Sequence, residues 1–179
     1  LLDEGRLAAR LQHPHVARVE DVAESDGTPF LVMEHCAGGS LDQRLEIYPE
    51  GLPLPEIQRI GVGLLEALAY AHDQQIVHRD VKPANVLFDA HDQVKLGDLG
   101  TGSLAMTGAP LVHSVEFSGP RGDEIAGTPL YMSPEQENPQ RLAGGTLDGR
   151  SDLFSFGKLV FTLLTGSSPR TVRPPSRIR

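Results

Sequence analysis

Asp80, Asn85 and Asp98 fall within one stretch, VHRDVKPANVLFDAHDQVKLGDLG, from Val77 to Gly100. Asp80 and Asn85 share a tight loop. Asp98 ends the return strand of a short hairpin, made from NVLFD and QVKLGD around Ala90–Asp92, which brings it back toward the other two. Two carboxylates and an amide collected in this way offer the oxygen ligands that a hard cation such as Mg²⁺ takes. Its remaining positions are filled by water and substrate phosphates. One carboxylate is left over to orient a hydroxyl nucleophile. Taken singly, an aspartate near a turn reads as a cap or a solvated charge, so the stretch reads three ways: live site, decayed site or polar hairpin.

The elements that must hold this stretch follow from periodicity. LLDEGRLAARL places Leu2, Leu7, Ala8 and Leu11 on one helix face. HPHVARVEDVAESDGTPFLVMEH reads as two antiparallel strands joined by a turn at Ser25-Asp26-Gly27. AGGS, Ala37–Ser40, breaks the pattern and offers a hinge, and Ser40 then caps a short helix begun by LDQRL. Behind Pro53 and Pro55, Ile57, Ile60, Leu64, Leu65, Leu68 and Ala71 recur at the spacing of a core-facing helix. Gly61-Val62-Gly63 inside that helix is a packing feature, because a phosphate-cradling loop follows a strand and keeps a fuller glycine spacing. In SDLFSFGKLVFTLLTG, the residues Leu153, Phe156, Leu159, Val160, Leu163 and Leu164 form a broad stripe, predicting a helix buried on most sides. This order of elements predicts an α+β architecture.

Composition narrows the functions. A net charge of -8 and a pI near 5.3 argue against nucleic-acid binding, which needs a concentrated basic face. A single cysteine, Cys36, excludes an internal disulfide in the 179 residues, and a reducing, cytoplasmic compartment is expected. Apolar runs such as LVFTLL, Leu159–Leu164, are too short to span a bilayer, so no membrane segment is expected in this chain. Both ends read as cuts: the chain opens inside a helical pattern and closes in an aperiodic stretch rich in proline and arginine, GSSPRTVRPPSRIR.

HRDVKPAN followed by GDLG resembles the catalytic loop and metal-binding motif of eukaryotic-like protein kinases, here of the bacterial Ser/Thr type. Four further segments match in order. DEGRLAARLQHPHV resembles the regulatory helix of the small lobe, and FLVMEHCAGGSL the last small-lobe strand, gatekeeper and hinge. GTPLYMSPEQ is similar to the end of an activation segment, with Ser133-Pro134-Glu135 in place of the commoner Ala-Pro-Glu. RSDLFSFG resembles the start of the buried helix of the large lobe. The resemblance implies a protein-kinase-like α+β fold, incomplete at both ends. A partial small lobe (regulatory helix plus two strands) with its hinge would occupy residues 1–36, a mostly helical partial large lobe 37–166, and a Pro/Arg-rich tail 167–179.

Residue by residue, the resemblance implies that Asp80 orients the substrate hydroxyl, while Asn85 and Asp98 hold magnesium. Lys82 is similar to the phosphate-contacting lysine of Ser/Thr kinases. Met33 matches the gatekeeper, the backbones of Glu34 and Cys36 would meet the adenine edge of ATP, and Leu87 would pack beneath the ring. Glu4 matches the regulatory-helix glutamate, and Thr128 the threonine that bridges catalytic aspartate and lysine. Glu135 matches the glutamate that usually pairs with an arginine further along. His78 is expected to buttress the loop, and Asp152 to accept hydrogen bonds from its backbone. Cys36 is expected to be packed and unreactive. Arg79 would receive a phosphate carried by Thr101, Ser103, Thr107, Ser114 or Ser118.

ATP, Mg²⁺ and protein substrates bearing Ser or Thr are the implied cofactors and partners. Leu99 stands where phenylalanine is usual, a smaller apolar plug that leaves the metal ligand untouched. The glycine-rich loop and strand lysine of the family would precede Leu1, so this piece by itself is expected to be poorly active, and the full-length protein is open to membrane anchoring. The competing readings are a scaffold that keeps the fold without phosphotransfer and a kinase of small metabolites. Asp80, Lys82, Asn85 and Asp98 together argue against the first. Lys82-Pro83 and Ser133-Pro134-Glu135 argue against the second.

Overall fold

The computed structural model describes residues 11–25, 28–99, 130–138 and 147–169. Strands β1 (Val19–Ser25) and β2 (Thr28–Met33) pair antiparallel, with Val19 opposite Met33 and Ser25 opposite Thr28. The expected two-stranded hairpin is therefore present, with its Asp26-Gly27 turn outside the described residues. The helix expected over residues 1–11 also lies outside them, apart from Leu11, which is buried.

Helix α1 (Leu41–Ile47) starts after Ser40, whose N–H donates to Gln43 Oε1 at 3.0 Å. That bond satisfies one of the orphan donors of a helix start. Ahead of it, the glycine pair is clamped: the Gly38 N–H donates to the Phe88 carbonyl at 2.8 Å, and the Gly39 carbonyl accepts from the Phe88 N–H at 2.9 Å. A Cβ at Gly38 would lie 2.7 Å from that of Phe88. Only glycine lets the chain approach Phe88 this closely.

Helix α2 (Leu54–Asp73) has Pro53 as its N-cap and Pro55 in its first turn. It buries Ile57, Ile60, Leu64, Leu68 and Ala71 as expected. Leu65 is a correction, being 41% exposed. The face turned inward includes Gly61, Gly63 and Ala67 instead. A Cβ at Gly63 would strike Val94 and the His15 ring, so this glycine is what lets the helix approach both.

Strands β3 (Val86–Phe88) and β4 (Val94–Leu96) form the second antiparallel pair, with Val86 opposite Leu96. A short helix α3 (Pro134–Glu137) and helix α4 (Gly149–Thr165) follow. The Asp148 side chain caps α4 by accepting from the Arg150 N–H, and Gly166 ends it in the left-handed conformation, φ 65°.

The core joins α2, α4 and the β3–β4 pair through Ile60, Leu64, Val86, Phe88, Leu96, Leu159 and Leu163. Each fully buried aliphatic side chain contributes roughly 1.5–3 kcal/mol. Helix α4 differs from expectation: Leu153 and Leu164 are 49% and 52% exposed, and Phe154 is exposed as well. Only the face carrying Ser151, Ser155, Leu159 and Leu163 is covered among the described residues. An apolar stripe specifies that a helix can be buried, but the number of its neighbours decides how far.

Candidate active site

The loop from His78 to Asn85 ends in a 3-10 turn, Pro83–Asn85, closed by the Asn85 N–H donating to the Lys82 carbonyl at 3.0 Å. Its proline lacks an N–H and is preset for the first helical position, so the turn begins there. Asn85 Nδ2 donates to the Asp80 carbonyl at 2.8 Å and to Asp80 Oδ2 at 3.0 Å, while Lys82 Nζ donates to the same Oδ2 at 2.7 Å. One carboxylate oxygen thus gathers an ammonium and an amide. With its nitrogen committed to Asp80, Asn85 offers Oδ1 as its oxygen ligand.

Asp98 is brought to this group through the backbone of the residue before it. The Gly97 N–H donates to the Asn85 carbonyl at 2.8 Å, and the Gly97 carbonyl is bonded to His78 Nε2, also at 2.8 Å. His78 Nδ1 accepts from the Asp80 N–H at 3.2 Å. An acceptor at Nδ1 places the ring proton on Nε2, so the neutral ring donates to Gly97 and bridges Asp80 to the strand that leads into Asp98. His78 is fully buried. Asp98 itself has φ 56°, a conformation uncommon outside glycine.

Asp152, from the first turn of α4, lies beneath the loop at 0% exposure. Its Oδ2 accepts from the His78 N–H at 2.9 Å and meets His72 Nε2 at 2.7 Å, and its Oδ1 accepts from the Arg79 N–H at 2.7 Å. A buried carboxylate is tolerable only when donors replace its water, and these do so.

On the strand side, Met33 and Cys36 are half-buried. The Glu34 N–H donates to the Arg18 carbonyl at 2.8 Å, while the Glu34 carboxylate accepts from the Arg18 N–H at 3.0 Å and from Lys95 Nζ at 2.8 Å. Burial acts to raise the Glu34 carboxyl, but the hydrogen bonds from Lys95 and the Arg18 backbone, with their charges, outweigh it and hold it below its ordinary value. Burial pushes the Cys36 thiol up, with the Glu34 charge adding to it, which disfavours the reactive thiolate. Leu87 is half-buried in β3 opposite Lys95, and Leu99 is buried in the core. A cavity of about 220 Å³ lined by His13, Arg18, Glu34 and Lys95, among others, adjoins this pair and does not include Asp80, Asn85 or Asp98.

Glu135 takes Ser151 as partner, accepting from its hydroxyl at 2.6 Å, and that bond lowers the glutamate's pKa. Glu4, Thr128 and the candidate phosphate acceptors Thr101, Ser103, Thr107, Ser114 and Ser118 lie outside the described residues. Sequence reasoning missed Gln136, whose Nε2 donates to the Arg79 carbonyl at 2.6 Å, and the Glu34–Lys95 pair. Neither has a local signal, because each joins residues far apart in the chain.

Among the described residues, no group of three or more His, Cys, Asp or Glu could hold a metal alone. Asn85 Oδ1 and Asp98 instead fit a cation that keeps waters and substrate phosphates among its ligands. No helix among the described residues is long and apolar enough to cross a membrane.

A profile of the protein kinase domain matches residues 1–176. The chain belongs to the protein kinase domain family. It is 37% identical over 171 residues to the serine/threonine-protein kinase PknF of Mycobacterium tuberculosis, covering 93% of this chain and 33% of the relative. It is 39% identical over 171 residues to the serine/threonine-protein kinase pkn2 of Myxococcus xanthus, covering 93% and 19%. The serine/threonine-protein kinase PrkC of Bacillus subtilis is 31% identical over 170 residues, covering 93% and 23%. This kinase-family chain spans a third or less of the length of these curated relatives.

Proposed function

We propose that the protein is a serine/threonine protein kinase that transfers the γ-phosphoryl group of ATP to Ser or Thr hydroxyls of protein substrates. The observation that carries this reading is the Asp80 carboxylate held by Lys82 and Asn85 beside the strand end that carries Asp98. In this reading Asp80 accepts the substrate hydroxyl proton. The hydroxyl oxygen bonds to the γ-phosphorus, and the bond to the β,γ-bridging oxygen breaks. Lys82 lies 2.7 Å from Asp80 Oδ2, so its charge is placed to meet the transferred phosphoryl oxygens. Asn85 Oδ1 and Asp98 would hold Mg²⁺, which when bound neutralises phosphate charge. The chain's own contribution is positioning: Asp152 and His78 fix the loop backbone, so little reorganisation is left for the reaction.

For the nucleotide, the Glu34 carbonyl and the Cys36 N–H are assigned to the adenine edge, Leu87 to its face and Met33 to the gatekeeper position. The Glu34 N–H is already given to Arg18, which supports the carbonyl as the group Glu34 offers. Residues 1–36 are assigned to a small lobe with hinge, 37–166 to a large lobe and 167–179 to a tail. Glu4 and Thr128 keep the roles their motif positions imply. A single, half-buried cysteine, Cys36, suits a cytoplasmic, reducing setting. Labelled-ATP transfer to a generic protein substrate by the full-length protein tests the reading. Asp80→Asn and Asp98→Asn are each expected to remove nearly all incorporation. Equal incorporation by wild type and both variants would overturn it, and nucleotide binding without any transfer would mark a scaffold.

A further inference from the structure

We infer that Gln136 is a positioning residue for the catalytic loop, holding the peptide between Arg79 and Asp80 in place by its donor nitrogen. The inference rests on the kinase reading above and adds a residue that the motif comparison assigns no role.

Arg79 has φ 68°, in the left-handed region that a side-chain-bearing residue rarely adopts. Such a conformation persists where surrounding contacts over-determine it. Here the two peptides flanking Arg79 are each gripped by a side chain from a distant element. The Arg79 N–H is bonded to Asp152 at 2.7 Å, and the Arg79 carbonyl accepts from Gln136 Nε2 at 2.6 Å. The second peptide is the one whose nitrogen belongs to Asp80. Its N–H points to His78 Nδ1, so rotation of that peptide would break bonds on both of its sides and swing the Asp80 side chain.

Gln136 is itself held. Its Oε1 accepts from the Ser133 N–H at 3.0 Å and from the Ser133 hydroxyl at 3.1 Å, and Ser133 is fully buried. The amide therefore has two separable duties: the oxygen caps the short helix α3, and the nitrogen clamps the loop. The oxygen fixes which way the nitrogen points. Because α3 lies at the end of the segment running from Asp98 to Glu135, Gln136 also makes the placement of that segment's end a condition of the geometry of Asp80.

The two duties can be separated in the full-length protein. Gln136→Glu keeps an oxygen for Ser133 and loses the donor to Arg79; Gln136→Lys keeps a donor and loses the acceptor; Gln136→Met loses both. Expected is a fall in kcat of about tenfold or more for Gln136→Glu and Gln136→Met, with KM for ATP within about twofold of wild type. Gln136→Lys recovers most of that loss. If Gln136→Glu fails to fold, judged by its thermal transition, the Lys and Met variants carry the same comparison. Wild-type kcat in Gln136→Met, or loss in Gln136→Lys alongside full activity in Gln136→Glu, would overturn the clamp while leaving the kinase reading standing. Absence of Asp80-dependent transfer from the wild-type protein would remove both.

Discussion

The two ends of the β3–β4 hairpin are both dense with polar contacts, but they are built differently. At the end carrying Asn85 and Gly97, the loop backbone is held from below by two buried side chains, His78 and Asp152, each 0% exposed. At the turn end, charged side chains meet one another, Arg59 and Asp92 exposed and Arg44 and Glu56 largely covered. Arg44 bonds Glu56 at 2.7 Å and Asp92 at 2.5 Å, and Arg59 bonds Asp92 at 2.7 Å. The Arg44 guanidinium also lies 3.6 Å above the centre of the Phe88 ring. Water can reach Arg59 and Asp92 at the turn end, whereas His78 and Asp152 are closed to it. The difference teaches that a count of polar contacts says little about what holds the site.

Removing Asp152 should show the contrast most strongly. Asp152→Ala leaves the His78 and Arg79 N–H groups and the His72 ring without their acceptor, and is expected to cost about 3–5 kcal/mol in urea denaturation. A cost below about 1 kcal/mol would break the comparison. His78→Leu keeps an apolar body in place but strands the Asp80 N–H and the Gly97 carbonyl, for a loss of roughly 2–3 kcal/mol and a larger proportional fall in kcat. At the turn end, Arg44→Ala should cost about 1–1.5 kcal/mol, partly through lost packing on Phe88, and the cost should shrink at high salt. A salt-independent loss would mean that packing alone is at work there.

The Glu34–Lys95 pair sharpens the comparison as an intermediate case. The folded-state pKa of Glu34 is depressed below its ordinary 4.5, so its stabilisation is present above that value and is lost as pH falls through the depressed one. Lys95→Met removes the first of the opposing bonds, so wild type should lose stability more steeply than the variant on acidification below about pH 4.5. Thermal midpoints of the two chains across that range provide the check; parallel curves would show the pair to be inert. At neutral pH the variant is expected to lose about 1 kcal/mol.

Much of the fold was legible because it depends on near neighbours. The turn-broken pair of runs that become β1 and β2, the proline entry to α2 and the Gly61–Gly63 packing face all follow from rules that act over a turn or a strand. Leu65 and the outer face of α4 were misjudged for the same reason: a stripe of apolar residues does not say how wide the covering neighbour is. The site divides likewise. Asp80, Lys82 and Asn85 meet within one loop, so their spacing was informative, and Asp98 follows through a hairpin whose turn is visible in the sequence.

What the sequence alone determined is therefore the set of groups available within Val77–Gly100, the helices and strands around them, and a net charge of -8. Tertiary structure decided which distant side chains hold them: Asp152 on the His78 and Arg79 amides, Gln136 on the Arg79 carbonyl, and Lys95 on Glu34. The physical reason is separation. A bond between neighbours is dictated by local dihedrals, but a bond between residues 74 apart, as for His78 and Asp152, exists only once α2 and α4 have packed and brought its ends together.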